Sequence, residues 1–262
     1  MTTLDRRSLL ALTGAAGITA LLPSGGTARA QAQKTFKAGG FEISTFSDGH
    51  IDLPISMFAT NADEAKRNAA LAAAGQAGAT VKSPINVTLI RKGEQTILVD
   101  VGSGTRFVGT AGKLSEALDA AGVDPEAVTH VVYTHAHPDH IWGTINDFDE
   151  LSFPNAAYHI AEAEWNFWMS KDAINQVPKD RQAFVVGAQR NLKVIKDRIK
   201  TIKPGQDIVN GLHVLDTSGH TPGHVSIQVG TGNDRVVILG DALTHPVISF
   251  QHPEWRPAAD QI

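Results

Sequence analysis

Apolar positions along the chain recur with two periods, one typical of strands and one typical of helices. Residues 41–47 alternate between apolar and polar types, which predicts an edge strand. The apolar stretches 86–91 and 95–99 flank the turn residues 92–94 and predict a β-hairpin. Apolar, β-branched stretches predict further strands at 128–133, 157–160, 212–217, 225–229 and 235–239.

Helical patterns lie between these strands. Residues 61–76 are rich in alanine, with acidic residues early and Asn61 as the expected N-cap. The sequence does not decide whether this helix covers the sheet or forms a contact in a homodimer. An amphipathic segment at 113–121 ends at Gly122, and two more helices are expected at 161–170 and 179–196. Strands that alternate with helices in one chain predict the α/β class.

The first residues form a separate segment. Arg6 and Arg7 precede an apolar run at 9–22, and the small-residue sequence 28–30 follows. This order predicts a twin-arginine export signal over residues 1–32, a mature domain over 33–262, and a periplasmic or secreted protein. The apolar run is shorter than the roughly 20 residues that span a bilayer. We therefore expect no stable membrane anchor after signal cleavage, with an uncleaved anchor as the alternative.

Composition narrows the chemistry. The chain has no cysteine, which excludes disulfides, thiolate metal ligands and a cysteine nucleophile. Its net charge of −4 and the lack of a basic run argue against a nucleic-acid partner. A small-molecule substrate is the expected partner.

A cluster of imidazoles and carboxylates follows the predicted strand 128–133. The chain continues as His135-x-His137-x-Asp139-His140, which a tight loop presents on one side more readily than a strand does. Neutral imidazoles and carboxylates are the ligands that zinc and similar divalent ions take in catalytic sites. The alternative is a polar surface loop that happens to be rich in histidine.

This motif resembles the hallmark of the metallo-β-lactamase superfamily. One segment before it and two after it resemble other motifs of the superfamily, and all four occur in the order found there. The three segments are 98–102, which ends a strand with Asp100; 219–224, which carries His220; and 236–241, which ends a strand with Asp241. Residues 153–156 and 162–165 are most similar to the methyl parathion hydrolase branch, which includes quorum-quenching, lactonase-like members. The resemblance implies a four-layer αββα sandwich, the metallo-β-lactamase fold.

The resemblance also implies a role for each residue of the site. His135, His137 and His220 would bind one metal, Asp139 and His140 a second, and Asp241 would bridge the two. The cofactors would be two divalent ions, with zinc expected and manganese, cobalt or iron as alternatives. A hydroxide held between the metals would be the nucleophile.

Three residues near these motifs carry alternative interpretations. Asp100 would accept a hydrogen bond from a ligand histidine and so orient its ring, or it is an ordinary turn aspartate. His220 is a metal ligand or a hydrogen-bonded core histidine, and its glycine- and proline-containing loop favours the ligand. For His224 the structural interpretation is preferred.

One expected ligand has no counterpart in the sequence. In the superfamily the second metal takes a further histidine from a strand well beyond the bridging aspartate, and a helix closes the fold. The only histidines after Asp241 are His245 and His252, both close to it in sequence. We therefore expect a C-terminally truncated chain without the last strand and helix, and with a weak second metal site. His252 as a substitute ligand is the alternative.

The substrate is the least specified part of the prediction. By position, Phe107, Trp168 and Phe184 match an aromatic pocket of the methyl parathion hydrolase branch, although Trp168 fits a core position equally well. Lactonases of this superfamily commonly use a tyrosine near the metals to position the lactone. Neither Tyr133 nor Tyr158 matches that tyrosine, which weakens the lactonase prediction without excluding it. The predicted function is a dinuclear metal-dependent hydrolase of esters, lactones or organophosphate triesters. The alternatives are a thioester hydrolase of glyoxalase II type and a catalytically inactive metal-binding domain.

Overall fold

The computed structural model describes residues 34–76 and 78–258, so the predicted export signal lies outside the described residues. The strands of the described chain are β1 Lys34–Ala38, β2 Phe41–Pro54, β3 Thr80–Lys92, β4 Gln95–Val99, β5 His130–Val132, β6 Ala157–Ala161, β7 Ile199–Ile202, β8 Asp207–Val209, β9 Leu212–Asp216, β10 Val225–Thr231 and β11 Asp234–Ile238. The α-helices are α1 Glu64–Ala73, α2 Leu114–Ala120, α3 Pro138–Ile141, α4 Glu162–Trp168, α5 Ala173–Gln176, α6 Gln182–Val194 and α7 Pro246–Gln251. None of the helices in these two ranges is long and apolar enough to cross a membrane.

The strands form two sheets. The larger sheet has the order β1-β2-β3-β4-β5-β6-β7, antiparallel from β1 to β4 and parallel from β4 to β7. The smaller sheet is antiparallel with the order β11-β10-β9-β8. The parallel strands β4, β5 and β6 end at the same edge of the larger sheet, where ligand-bearing loops of α/β proteins characteristically lie.

Side chains of β4 show how the layers form. Ile97 and Val99 point into the core between the two sheets, whereas Leu98 points into the core on the opposite face. The opposite face is covered by α2, α4 and α6. A strand that is buried on both faces has a continuous run of apolar residues, and residues 97–99 form such a run. The described residues therefore form a helix layer and two sheet layers, and the predicted α/β class with two sheets is confirmed.

Two details of the predicted elements are wrong. Helix α1 begins at Glu64 with Asp63 as its N-cap, because the Asp63 carboxylate accepts a hydrogen bond from the Lys66 amide at 3.2 Å. The predicted cap, Asn61, instead binds the segment after α7, with its amide nitrogen 3.0 Å from the Glu254 carbonyl. The predicted edge strand 41–47 is part of β2, which lies between β1 and β3.

A buried carboxylate joins β2 to the segments that follow β4. Asp48 Oδ2 accepts hydrogen bonds from the Ser103 amide at 2.8 Å and the Gly112 amide at 3.2 Å, and it lies 2.9 Å from Ser103 Oγ. Asp48 Oδ1 accepts one from the Leu114 amide at 2.9 Å, at the start of α2. The side chain is fully buried. Asp48 therefore satisfies backbone donors that would otherwise be orphaned inside the protein.

The buried side chain of His159 is expected to make the stability of the fold depend on pH. His159 on β6 stacks on His130, and neither of its ring nitrogens has a hydrogen-bond partner among the described residues. Burial, with smaller contributions from His130 and Lys200, lowers the pKa of His159 to about 4. The unfolded chain takes up this proton near the ordinary value of about 6.5, so the free energy of unfolding falls as pH falls from 6.5 to 4.

We expect this histidine to contribute about 2 kcal/mol to the loss of stability between pH 7 and pH 5. Urea unfolding of the wild type and of His159→Leu at both pH values measures the contribution. The variant should lose less stability on acidification than the wild type does. Parallel pH profiles of the two proteins would contradict the assignment. His213→Leu, at a half-exposed position on β9, is the control.

Candidate metal centre

The loop after β5 places four predicted ligands at the edge of the larger sheet. His137 has an extended backbone and is the N-cap of α3, which begins with Pro138 in its first turn. Proline suits this position because its fixed φ matches a helix and it lacks an N–H to satisfy. The loop therefore carries members of two groups of possible metal ligands, His135 and His137 in one and Asp139 and His140 in the other.

The first group contains three imidazoles from two loops. His135 Nε2 lies 3.0 Å from His137 Nδ1, and His220 Nε2 lies 2.9 Å from the same atom. Asp241 Oδ2 lies 3.3 Å from His220 Nε2 and 4.0 Å from His135 Nε2. All four ligand atoms lie within 4.8 Å of one another.

The second group shares Asp241 with the first. His140 Nε2 lies 3.4 Å from Asp139 Oδ2 and 3.5 Å from Asp241 Oδ1. The two oxygens of Asp241 therefore face different groups, Oδ2 the three imidazoles and Oδ1 the pair from α3. Asp241 therefore lies between two groups of residues, each of which could hold a metal ion.

The residues present fit divalent metal ions. Tetrahedral zinc with Zn–N distances of about 2.05 Å places its nitrogen ligands about 3.3 Å apart, close to the observed separations. The three imidazole nitrogens converge within 4.8 Å of one another, so one cation could accept the lone pair of each. The donor set of nitrogens and carboxylate oxygens is one that zinc and other first-row ions accept.

Asp100 lies behind His140. Its Oδ2 accepts a hydrogen bond from His140 Nδ1 at 2.8 Å, which turns Nε2 toward the second group. The amide and hydroxyl of Thr134 hold the Asp100 carboxylate at 2.8 Å each. Asp100 also adopts a φ of +65°, which marks a constrained turn after β4. This contact supports the orienting role over an ordinary turn aspartate.

The pKa values of His140 and Asp241 are shifted in opposite directions by each other's charge and by their neighbours. Burial opposes a charge on His140, but the carboxylates of Asp139, Asp100 and Asp241 outweigh it and raise its pKa well above the ordinary value. Burial would raise the pKa of Asp241, but His140 and His220 lower it well below the ordinary value. Burial also lowers the pKa of His135 well below 6.5, so this imidazole is neutral and able to bind a metal.

His224 has a structural environment, in agreement with the preferred interpretation. The Asp241 amide donates to its Nε2 at 3.0 Å, and its Nδ1 lies 2.8 Å from the Thr217 hydroxyl. The ring is fully buried, and burial lowers its pKa to about 3. A Cβ at Gly240 would lie 2.8 Å from His224 Nε2, so glycine permits this close approach. His224 therefore fixes the backbone of Asp241.

Glu164 is the residue that sequence reasoning missed. It lies in the first turn of α4, is fully buried, and accepts hydrogen bonds from both ligand-bearing loops. Burial raises its pKa, and the surrounding donors oppose that shift. Its sequence signals were its place in the segment 162–165, which carries part of the resemblance, and its position just after a predicted strand, and neither signal indicates a role.

Two of the three aromatic residues predicted for the substrate pocket line a cavity at the centre, and the third does not. Phe107 and Phe184 line a cavity of about 750 Å³ that reaches His137, His220 and Asp241, and their rings meet edge to face at 6.1 Å. Trp168 is completely buried and does not line this cavity, so its placement in the pocket is wrong. Its indole nitrogen donates to Glu164 Oε1 at 2.7 Å, which explains why the ring turns inward.

The late histidines do not join the second group. His252 stacks on Trp255 with ring centroids 3.7 Å apart, and His245 Nε2 lies 3.0 Å from Gln76 Oε1. Among the described residues, the second group therefore consists of Asp139, His140 and Asp241.

Comparisons with known proteins agree with this geometry. "Metallo-beta-lactamase domain-containing protein 1" of Xenopus laevis is 31% identical over 176 residues, which are 67% of this chain and 60% of that protein. The chain therefore spans less than two thirds of the length of this relative. The crystal structure of the hydrolase AbOPH in the β-lactamase superfamily has a TM-score of 0.79 and 29% identity, covering 86% of this chain and 79% of that one.

The structure of AidC, described as a dizinc quorum-quenching lactonase, has the same TM-score of 0.79 with 28% identity over 86% of this chain and 79% of its own. The family model of the metallo-β-lactamase superfamily matches residues 81–259, from β3 through the whole of the centre described above. Fold, ligand geometry and family match agree, and the chain belongs to the metallo-β-lactamase superfamily.

Proposed function

We propose that this protein is a dinuclear metal-dependent hydrolase of esters, lactones or organophosphate triesters. The observation that carries the proposal is the position of Asp241, whose two oxygens face two separate groups of ligands. His135, His137 and His220 would hold one ion, Asp139 and His140 the other, and Asp241 would bridge them. The similarity to AbOPH and AidC supports the methyl parathion hydrolase and lactonase-like branch.

The protein's own groups prepare the site for this reaction. Two bound cations would activate water and polarise a carbonyl or phosphoryl oxygen. Asp100 holds the His140 ring in one orientation, and His224 holds the backbone of Asp241. Phe107 and Phe184 provide an apolar wall beside His137, which would bury the acyl or aryl part of a substrate and exclude water from it.

Metal content and turnover test the proposal together. Metal-free protein is titrated with zinc, manganese or cobalt, and each loaded form is assayed on a nitrophenyl ester, an N-acyl homoserine lactone, a phosphotriester and a thioester. We expect two equivalents of metal and turnover of at least one of the first three substrates. Exclusive turnover of the thioester would favour the glyoxalase II type.

The alternative of an inactive metal-binding domain has one observation in its favour. The second group contains a single imidazole, His140, beside Asp139 and the shared Asp241. One tightly bound equivalent without turnover of any of the four substrates would support this alternative and contradict the hydrolase.

The place of action and the partners are also proposals. The pattern of residues 1–32 supports export by the twin-arginine route to the periplasm or beyond, with cleavage of the signal. The substrate cavity supports a small-molecule partner. Cell fractionation with mass spectrometry of the mature N-terminus tests the export, and a full-length cytoplasmic protein would contradict it.

A further inference from the structure

Glu164 connects the two loops that carry the three-imidazole group. Its Oε1 accepts hydrogen bonds from the Ala136 amide at 2.8 Å and from the Trp168 indole at 2.7 Å. Its Oε2 accepts hydrogen bonds from the Thr221 hydroxyl at 2.8 Å and from the Gly223 amide at 2.9 Å. Ala136 lies between His135 and His137, and Thr221 follows His220. One carboxylate therefore binds directly beside all three imidazoles.

The backbone around Glu164 is shaped for this contact. A Cβ added at Gly223 would lie 2.1 Å from the Glu164 amide nitrogen, so only glycine lets the second loop approach α4 this closely. Trp168, held by the same carboxylate, places its ring 5.8 Å from that of His137 in an edge-to-face contact. The carboxylate thus controls both the separation of the loops and the wall behind one imidazole.

Only an ionised carboxylate satisfies all of these partners. Both of its oxygens accept, and four donors from four residues converge on them. Glutamine has nearly the same shape, but its amide nitrogen would face donors on one side or the other. A buried donor without an acceptor is costly, so that loop would move away from α4.

We propose that Glu164 is a positioning residue that sets the spacing of His135 and His137 relative to His220 for metal binding. The inference rests on the proposed metal site and extends it to a residue that touches neither metal nor substrate. Since His137 and His220 are 83 residues apart, no local turn fixes their 2.9 Å separation. A shared acceptor between their loops does.

The test compares Glu164→Gln with Glu162→Gln, a matched change two residues earlier on α4. Glu162 is partly exposed and pairs with Lys203 at 3.0 Å, away from the imidazoles. Zinc affinity is measured for each equivalent by competition with a chromogenic chelator, and His137→Ala identifies the equivalent held by the three imidazoles. Cobalt absorption spectra report the geometry of the same site.

We expect Glu164→Gln to weaken the three-imidazole equivalent about 10- to 100-fold, as loss of outer hydrogen-bond partners does at other metal sites. The other equivalent should change much less, and the cobalt spectrum should shift. Glu162→Gln should match the wild type. If Glu164→Gln lowers the unfolding temperature but keeps wild-type affinities and spectrum, the residue is merely structural and the proposal is overturned.

A milder pair of variants keeps the test decisive if Glu164→Gln does not fold. Thr221→Val removes one donor to Oε2, whereas Thr221→Ser retains it. We expect weaker zinc binding at the three-imidazole group by a few-fold in Thr221→Val only, and equal affinities in the pair would overturn the proposal. Wild-type protein that binds metal without turnover would contradict the proposed hydrolase and leave these comparisons valid. Wild-type protein that binds no metal would overturn both.

Discussion

Replacement of His137 by alanine is expected to remove the metal held by the three-imidazole group and to lower kcat/KM on the order of a thousandfold. His137 Nδ1 lies within 3.0 Å of the ligand nitrogens of both His135 and His220, so it is the central member of that group. Its loss removes one of the three imidazoles and leaves a set whose carboxylate, Asp241, also faces the second group, so we expect the ion to be lost on dialysis. Metal analysis after dialysis and steady-state kinetics on the preferred substrate measure both effects.

His213→Ala is the matched control, because this histidine lies on β9, is partly exposed, and bonds to Asp207 rather than to the centre. The control should keep both metal equivalents and normal turnover. Circular dichroism and the unfolding midpoint separate loss of metal from loss of fold. Normal metal content and turnover in His137→Ala would contradict the assignment of the centre.

Replacement of Asp48 by asparagine is expected to lower the free energy of unfolding by about 3 kcal/mol. The two oxygens of Asp48 accept from amides of Ser103, Gly112 and Leu114, all in a buried region. An asparagine has one acceptor oxygen, so its amide nitrogen would face at least one of these donors. A buried donor without an acceptor carries its full desolvation cost.

Urea unfolding of metal-free protein measures this change as a lower midpoint with an unchanged slope. Asp52→Asn is the control on the same strand, at a position where the carboxylate is about half exposed. It should shift stability by no more than about 0.5 kcal/mol. Equal midpoints for the two variants would show that the buried contacts of Asp48 contribute little.

The parts of the site that lie close together in the sequence could be predicted from local spacing. The His135-x-His137-x-Asp139-His140 run follows a strand within one short loop, so its spacing nearly determines which side chains can converge. The structure gathers these four residues at the end of β5, with His220 and Asp241 beside them. The strands at 95–99 and 225–229 were also found, because β-branched and apolar runs reflect burial on both faces of a sheet.

Side chains were hardest to place from sequence where the residue type suits more than one environment, because packing in the folded chain decides between them. Trp168 was predicted to line the pocket with a core position as an equal alternative, and its buried hydrogen bond to Glu164 favours the core. Asn61 is a good cap by residue type, yet it binds the segment after α7, and Asp63 caps α1 instead. His252 has the chemistry of a ligand, but stacking on Trp255 holds it elsewhere.

By itself, the sequence determined the α/β class, the superfamily resemblance and the kinds of metal ligand, because each depends on residue type and short spacing. Only the tertiary structure decided that Asp241 faces two groups, that Asp100 orients His140, and that Glu164 joins the two ligand loops. These contacts join residues tens of positions apart, and several of their partners are backbone amides. Backbone donors occur at nearly every position, so no residue pattern reveals which of them a buried carboxylate will bind.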